Sequence, residues 1–332
     1  MKSTKVFLGA ACLMAATLSC KQQALPQPEP ADAEETVRID IQTAPLTKAS
    51  VTEARDFESA INSFDFLVFD ALTDKLLLQE HRSSGAGFTL KMVPGRKKVI
   101  AFANGGNVVA DGSVTALDSL PRRYYHFADV NVDGTQLAMY DLQGLGSEVN
   151  ITAGGTNVIG VNLSRFPCRI RLKSISEQLL SETVSSFSYG AAYLYNVPFR
   201  QALDGSVDDT PANRLNPLHS SITEASAASG GSLTFKPLAT GSGAHHPLGA
   251  PAELYTYPGS EVHLGFSVNI NGTPYYYAVP LTGLQSNYSY DVSVVLHTLG
   301  GTDPGNPAIN TGASATVTVT PWGSGDEITE TL

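Results

Sequence analysis

The chain of 332 residues is poor in cysteine, in basic charge and in long apolar runs, and it lacks the short motifs that mark common enzymes. Its three cysteines are Cys12, Cys20 and Cys168. Cys12 falls inside an N-terminal export signal and Cys20 at its end, which leaves Cys168 without a partner and excludes a disulfide-stapled scaffold. Lysine and arginine total 21 against 31 acidic residues, a formal net charge of -10. A nucleic-acid partner would demand a basic patch to neutralise phosphates, and no such cluster occurs. Beyond the signal, no apolar run approaches the roughly 20 residues of a spanning helix, so attachment to a membrane would be through lipid alone. The G-x-S-x-G, H-E-x-x-H, C-x-x-C, Walker-type and dinucleotide glycine patterns are all missing. No nucleophile, base or metal constellation can be named, so the chain reads as a non-enzyme with no cofactor.

What is present begins with export. Lys2 and Lys5 precede an apolar run from Val6 to Ala16, which reads as a secretory signal over residues 1–19. Thr17-Leu18-Ser19-Cys20 resembles a bacterial lipobox, with the leucine one place closer to the cysteine than in the commonest pattern. Acylation of Cys20 is the expectation; a plain cleaved signal with an incidental Cys20 is the alternative. Residues 20–35 follow with prolines and acids that cannot build a core, so they read as an extended tether.

Apolar residues make up 42% of the chain, enough for real cores, and the length suits two domains once the N-terminal segments are set aside. Val37, Ile39 and Ile41 alternate with Arg38, Asp40 and Gln42, the pattern of a half-buried strand. The polar segment after it carries Lys48 and Arg55, cationic side chains outside the strands where a trypsin-like protease could reach them. Strands are then expected over Phe64 to Asp70, Lys75 to Gln79, Phe88 to Val93, Lys97 to Asn104, Tyr124 to Val132 and Thr156 to Leu163. Pro94-Gly95-Arg96 reads as a turn, and Ser113 to Leu120 as two helical turns. A second series comprises Cys168 to Ile175, Tyr189 to Val197, Leu233 to Phe235, Val262 to Ile270, Pro274 to Leu281, Tyr288 to Thr298 and Ala313 to Thr320. A short helix is expected over Ser176 to Glu182, and Asn271-Gly272 is the best hairpin turn in the chain. Many short strands separated by turn residues mean β-sandwiches.

Three weaker features need weighing. Asp129-Val130-Asn131-Val132-Asp133-Gly134 opens like a calcium loop, but Tyr140 stands where the bidentate Glu belongs, so a strand end with a turn is the better reading. His245-His246 with His263 could ligate a metal, yet adjacent histidines point apart, which favours a solvated loop. Tyr275, Tyr276 and Tyr277 could stack on a glycan, but alternation along a strand sends some of them into the core.

Taken in succession, the lipobox, the alternating strand, the Arg-bearing loop, INSFDFLVFDA (Ile61 to Ala71), VPGRKKVIAFANG (Val93 to Gly105), LSRFPCRIRL (Leu163 to Leu172) and ATVTVTPW (Ala315 to Trp322) resemble the fimbrillin family, the type V pilus subunits of anaerobic Gram-negative bacteria. The resemblance implies an all-β fold of two tandem transthyretin-like β-sandwich domains behind a lipoprotein signal. It places a propeptide strand and protease-sensitive loop at 36–55, an N-terminal sandwich at 56–164, a C-terminal sandwich at 165–312 and a C-terminal strand and tail at 313–332. It further implies that a trypsin-like surface protease cuts after Arg55, with Lys48 as second choice, and that the strand bearing Val37, Ile39 and Ile41 then leaves. A donor strand from another pilus subunit would refill the groove, and its counterpart here contains Ala315, Val317, Val319 and Ile328. The tail after Trp322 offers only Ile328 and Leu332 as spaced apolar residues, so Ala313 to Thr320 could itself be the donor. The expected partners are other pilus subunits, the protease, and the outer membrane through lipid before cleavage. The competing readings are a tip adhesin, an anchor subunit that keeps its lipid and first strand, and a monomeric glycan-binding surface lipoprotein.

Overall fold

A computed structural model describes residues 33–43, 56–105, 114–126, 137–211, 214–215, 236–309, 312–321 and 328–331. Glu34–Leu332 forms one compact unit. Its first part contributes β1 (Glu35–Thr43), β2 (Phe64–Asp70), β3 (Leu76–Arg82), β4 (Phe88–Met92), β5 (Gly95–Ala103), β6 (Tyr124–His126), β7 (Met139–Asp141), β8 (Val149–Ile151) and β9 (Asn157–Arg165). The spatial order is β3-β2-β5-β7-β9-β1-β4, with β8 beside β5. In β9 the apolar residues Ile159, Val161 and Leu163 are buried while Val158, Gly160 and Asn162 between them are exposed, the period-two signature of a strand with one face on a core. These side chains share one cluster with Val37 and Ile39 of β1 and Phe64, Phe66 and Val68 of β2. The Phe88 ring of β4, at one end of the strand order, lies 6.0 Å from both Phe64 and Phe66 near the other end. The sheet therefore folds over on itself and closes as a sandwich.

The second part contributes β10 (Cys168–Glu177), β11 (Phe187–Tyr195), β12 (Val197–Pro198), β13 (Arg200–Ala202), β14 (Arg214–Leu215), β15 (Lys236–Pro237), β16 (Ala252–Thr256), β17 (His263–Ile270), β18 (Thr273–Pro280), β19 (Tyr288–Leu296), β20 (Ala308–Ile309), β21 (Ala313–Pro321) and β22 (Ile328–Thr331). Two sheets, β16-β10-β19-β21-β22 and β15-β11-β17-β18-β20, enclose a core with Ile170, Leu172, Leu264, Phe266, Val292 and Val294 at its centre. A third cluster joins Leu67 and Phe69 of β2 and Phe102 of β5 to Phe166, Tyr255 and Tyr257. This explains why FDFLVFD is apolar on both faces: β2 has a core on each side. The all-β sandwich expectation is met.

Local differences have physical causes. The helix expected over Ser176 to Glu182 is absent; β10 continues instead through Ser176 and Glu177, which pair with Val295 and Leu296 of β19, so a long ladder overrides weak helical propensity. Near Ser113 to Leu120 the helical segment is a 3-10 helix over Leu117–Arg122 with Pro121 inside it. Gly95 starts β5 rather than sitting in a turn. The Asn271-Gly272 turn is present, with φ of 53° and 82°, the left-handed values a two-residue hairpin requires. Leu233 to Phe235 and residues 127–132 of the expected sixth strand lie outside the described residues.

Candidate functional site

β1 is an interior strand. It runs parallel to β9 from Val37 opposite Asn157 to Thr43 opposite Leu163, and antiparallel to β4 from Glu35 opposite Met92 to Ile39 opposite Phe88. Val37 and Ile39 have no solvent exposure, and Ile41 is partly buried against the same core. On the opposite face Arg38 and Asp40 pair at 2.9 Å in solvent, and Lys91 donates to the Thr36 hydroxyl at 2.7 Å. Neither neighbour of β1 in the sheet is its neighbour in sequence, so no hairpin joins it to the slot it fills. Ile39→Ala should cost about 3 kcal/mol, since the cavity would open in a closed core, and the shift of the urea unfolding midpoint measures it.

The chain re-enters the described structure at Asp56–Ser59, a short 3-10 turn, and from Glu58 onward it is held by buried polar groups. The fully buried Glu58 carboxylate accepts hydrogen bonds from Arg169 Nη1 at 3.1 and 3.0 Å and from the Tyr255 hydroxyl at 2.7 Å. Arg165, at the end of β9, donates to the Glu58 carbonyl at 3.1 Å, the Ser59 hydroxyl at 3.0 Å and Asn287 Oδ1 at 3.2 Å. Burial pulls the Arg165 guanidinium down to about 10, a shift that the nearby Glu58 carboxylate opposes. Burial also pushes the Tyr255 phenol up, with the Glu58 charge acting in the same direction. Asn104 completes the clasp: its amide nitrogen donates to the Ala60 and Leu137 carbonyls, and its oxygen accepts from the Asn62 and Ser63 amides. Nothing in the sequence reading pointed to Glu58, Asn104 or Tyr255. A signal that could have found the clasp is the stretch RFPCRIR, since cations set among apolar residues need buried partners.

At the other end of the chain, β21 pairs with β19 at nine positions, with Ala315 and Val317 buried and Val319 packed against the core. β22 is the outermost strand and pairs with β21 at four, from Thr316 opposite Thr331 to Val319 opposite Ile328. Val37, Ile39 and Ile41 thus share one core, Ala315, Val317 and Val319 another, and Ile328 sits on an edge strand. Cys20, Lys48 and Arg55 lie outside the described residues, as does the segment Asp129 to Gly134.

No protein-family model and no curated protein matches the chain. Solved structures do. A protein of Parabacteroides distasonis ATCC 8503 ascribed to cell adhesion superposes with a TM-score of 0.60 at 15% identity, covering 89% of this chain and 98% of its own. The fimbrilin of Porphyromonas gingivalis W83 superposes with a TM-score of 0.58 at 13% identity, covering 88% and 98%. The tip fimbrial protein Mfa3 of Porphyromonas gingivalis, with a C-terminal truncation, gives 0.50 at 14% identity, covering 87% and 100%. The chain has the fold of fimbrial proteins.

Within this fimbrial fold Tyr275, Tyr277, His246 and His263 pack against neighbouring rings or the core. Tyr277 is buried, stacks on Phe266 with centroids 5.4 Å apart, and donates to the Thr298 carbonyl; Tyr275 packs beside the same core. His246 stacks on Phe187 and His263 on Tyr195, so the histidines serve different rings. Burial holds the His263 imidazole below its ordinary value, against a smaller opposing effect of the Glu261 carbonyl. Because the folded pKa is the lower one, the contribution of His263 to stability is present above about pH 6.5 and is lost as pH falls toward the folded value. His263→Gln should flatten that part of the stability profile, as read by urea midpoints at pH 7.5 and 5.

Proposed function

We propose that this chain is a structural subunit of a fimbrium, a member of the fimbrillin family, that is exported as an outer-membrane lipoprotein on Cys20 and polymerises by protease-triggered donor-strand exchange. The observation that carries the reading is the position of β1: interior to its sheet, sealed by Val37 and Ile39, yet joined by no hairpin to either strand beside it. A trypsin-like protease acting after Arg55, or else after Lys48, would free β1 and leave an open slot. Refilling it returns about 1.5 to 3 kcal/mol for each buried aliphatic side chain and roughly 1 kcal/mol net for each backbone hydrogen bond. The replacement would come from another subunit, within the segment corresponding to Ala313 to Leu332. Such a head-to-tail contact does not close on itself, so it grows as a filament. Strand capture needs no nucleophile and no metal, in keeping with a non-enzymatic role.

A second reading has one observation in its favour. Ala315 and Val317 belong to the C-terminal core and β21 is bonded along its whole length, so giving up β21 would open that core. A tip subunit accepts a strand and donates none. The N-terminus of the protein recovered from the cell surface tests the proposal: a start at Asp56 supports processing, whereas an acylated Cys20 with β1 retained contradicts it and indicates an anchor or a monomeric lipoprotein. Deleting Gly323 to Leu332 separates stalk from tip. Loss of elongation is expected if β22 is part of the donor, and filaments of unchanged length would exclude it.

A further inference from the structure

We infer that β4 is a movable wall of the slot, held in the sheet through β1 and released whenever β1 departs. β4 ends the strand order, and among the described residues its ladder runs to β1, over Glu35 opposite Met92 through Ile39 opposite Phe88. The Lys91 side chain is also bonded to β1, at Thr36. What ties β4 to the rest of the body is its side chains: Met92 is buried in the core, and the Phe88 ring meets Phe64 and Phe66 edge-on. Its upstream connection, Ser83-Ser84-Gly85-Ala86-Gly87, is short-chained and glycine-rich, and Gly87 passes so close to β1 that a Cβ there would lie 2.9 Å from the Ile39 carbonyl oxygen. Its downstream connection reaches β5 through Gly95, whose φ of 116° favours glycine.

Removing β1 therefore does more than open a gap. β9 keeps its pairing with β7 and Gly95 its pairing with Ile151 of β8, but β4 loses its whole ladder and becomes a five-residue flap free to move between Gly85 to Gly87 and the Val93-Pro94 link. The gap left behind is one strand wide, roughly 9.6 Å between the flanking strands at about 4.8 Å per spacing. An incoming strand of alternating aliphatic pattern would then pair with β9 and draw β4 back over itself. Capture becomes a two-step closure in which the second wall forms on the ligand, and the empty slot never presents two fixed edges.

This inference rests on the reading of β1 as a leaving strand, but the coupling it requires is measurable in the uncut full chain. Native-state hydrogen exchange followed by mass spectrometry would compare the amides of β1, β4, β2 and β5 in the wild type and in Ile39→Asp. In the variant, β1 and β4 should lose protection together, their protection factors agreeing within about threefold, while β2 and β5 keep theirs. Protection of β4 that survives loss of protection in β1 overturns the inference. Ile39→Ala gives the same comparison with a milder perturbation should the aspartate variant fail to fold. In protein cut with trypsin and freed of β1, adding a synthetic peptide of Glu35–Thr43 should restore protection to β4; binding of the peptide without that recovery also overturns it. Retention of β1 after cutting, seen by intact mass, counts against the processing reading alone and leaves the exchange comparison in the uncut chain to decide the role of β4.

Discussion

Arg55→Ala should give a folded monomer that does not polymerise when treated with a trypsin-like protease under conditions in which the wild type forms filaments. The reason is competition between strands. While the chain is continuous, β1 is joined to the body it sits in by residues 44–55, and a strand held in the same chain meets its slot at an effective concentration of about millimolar. A donor from another subunit, present at micromolar concentration, would have to displace a strand that is both local and already seated with Val37 and Ile39 fully buried. Cutting removes the tether and turns an intramolecular contest into an intermolecular one. Arg55→Lys should lose assembly with a protease that demands arginine, because neither Lys48 nor the new lysine is then a substrate. Electron microscopy and a ladder of resistant oligomers on electrophoresis read the result. Normal filaments from Arg55→Ala would move the cut to Lys48 or remove the mechanism.

The alternation of Val37, Ile39 and Ile41 was legible because period-two burial is a local property, and the same holds for β9, β17 and β21. The placement of β1 was not legible. Its parallel partner β9 lies more than a hundred residues away, and no residue in VRIDIQT announces whether a strand will be interior or at an edge. Short strands such as Met139–Asp141 and Val149–Ile151 escaped because three residues carry too little pattern to separate from loop. The clasp escaped for a different reason. Glu58 reads as an ordinary surface acid between Phe57 and Ser59, and it becomes a buried counter-ion only when the fold brings Arg169, 111 positions away, beside it. Sequence proximity carries information about propensity; it carries almost none about which lone charges will meet in the interior.

That clasp supports the second large prediction, Glu58→Ala. Arg169 keeps its contact with the Ser289 hydroxyl at 3.0 Å, but it loses the carboxylate that balances its charge at a site where its side chain is 7% exposed. The Tyr255 hydroxyl loses its acceptor at the same time. Taking one partner from a buried ion pair costs roughly 3 to 5 kcal/mol, because the remaining charge stays desolvated. The urea midpoint should fall accordingly, with an unchanged slope if the native state is otherwise intact. Removing both charges, as Glu58→Leu with Arg169→Met, should recover much of the loss, since the pair's net value is small even though either half alone is costly. A change below about 1 kcal/mol for Glu58→Ala would mean that the pair is hydrated in solution and holds nothing. If the large loss is found, it follows that the chain just past the proposed cut is fastened independently of β1. Cleavage can then release the strand while the body from Glu58 onward stays in place, and the new chain end remains docked between Arg165 and Arg169 instead of following β1 into solvent.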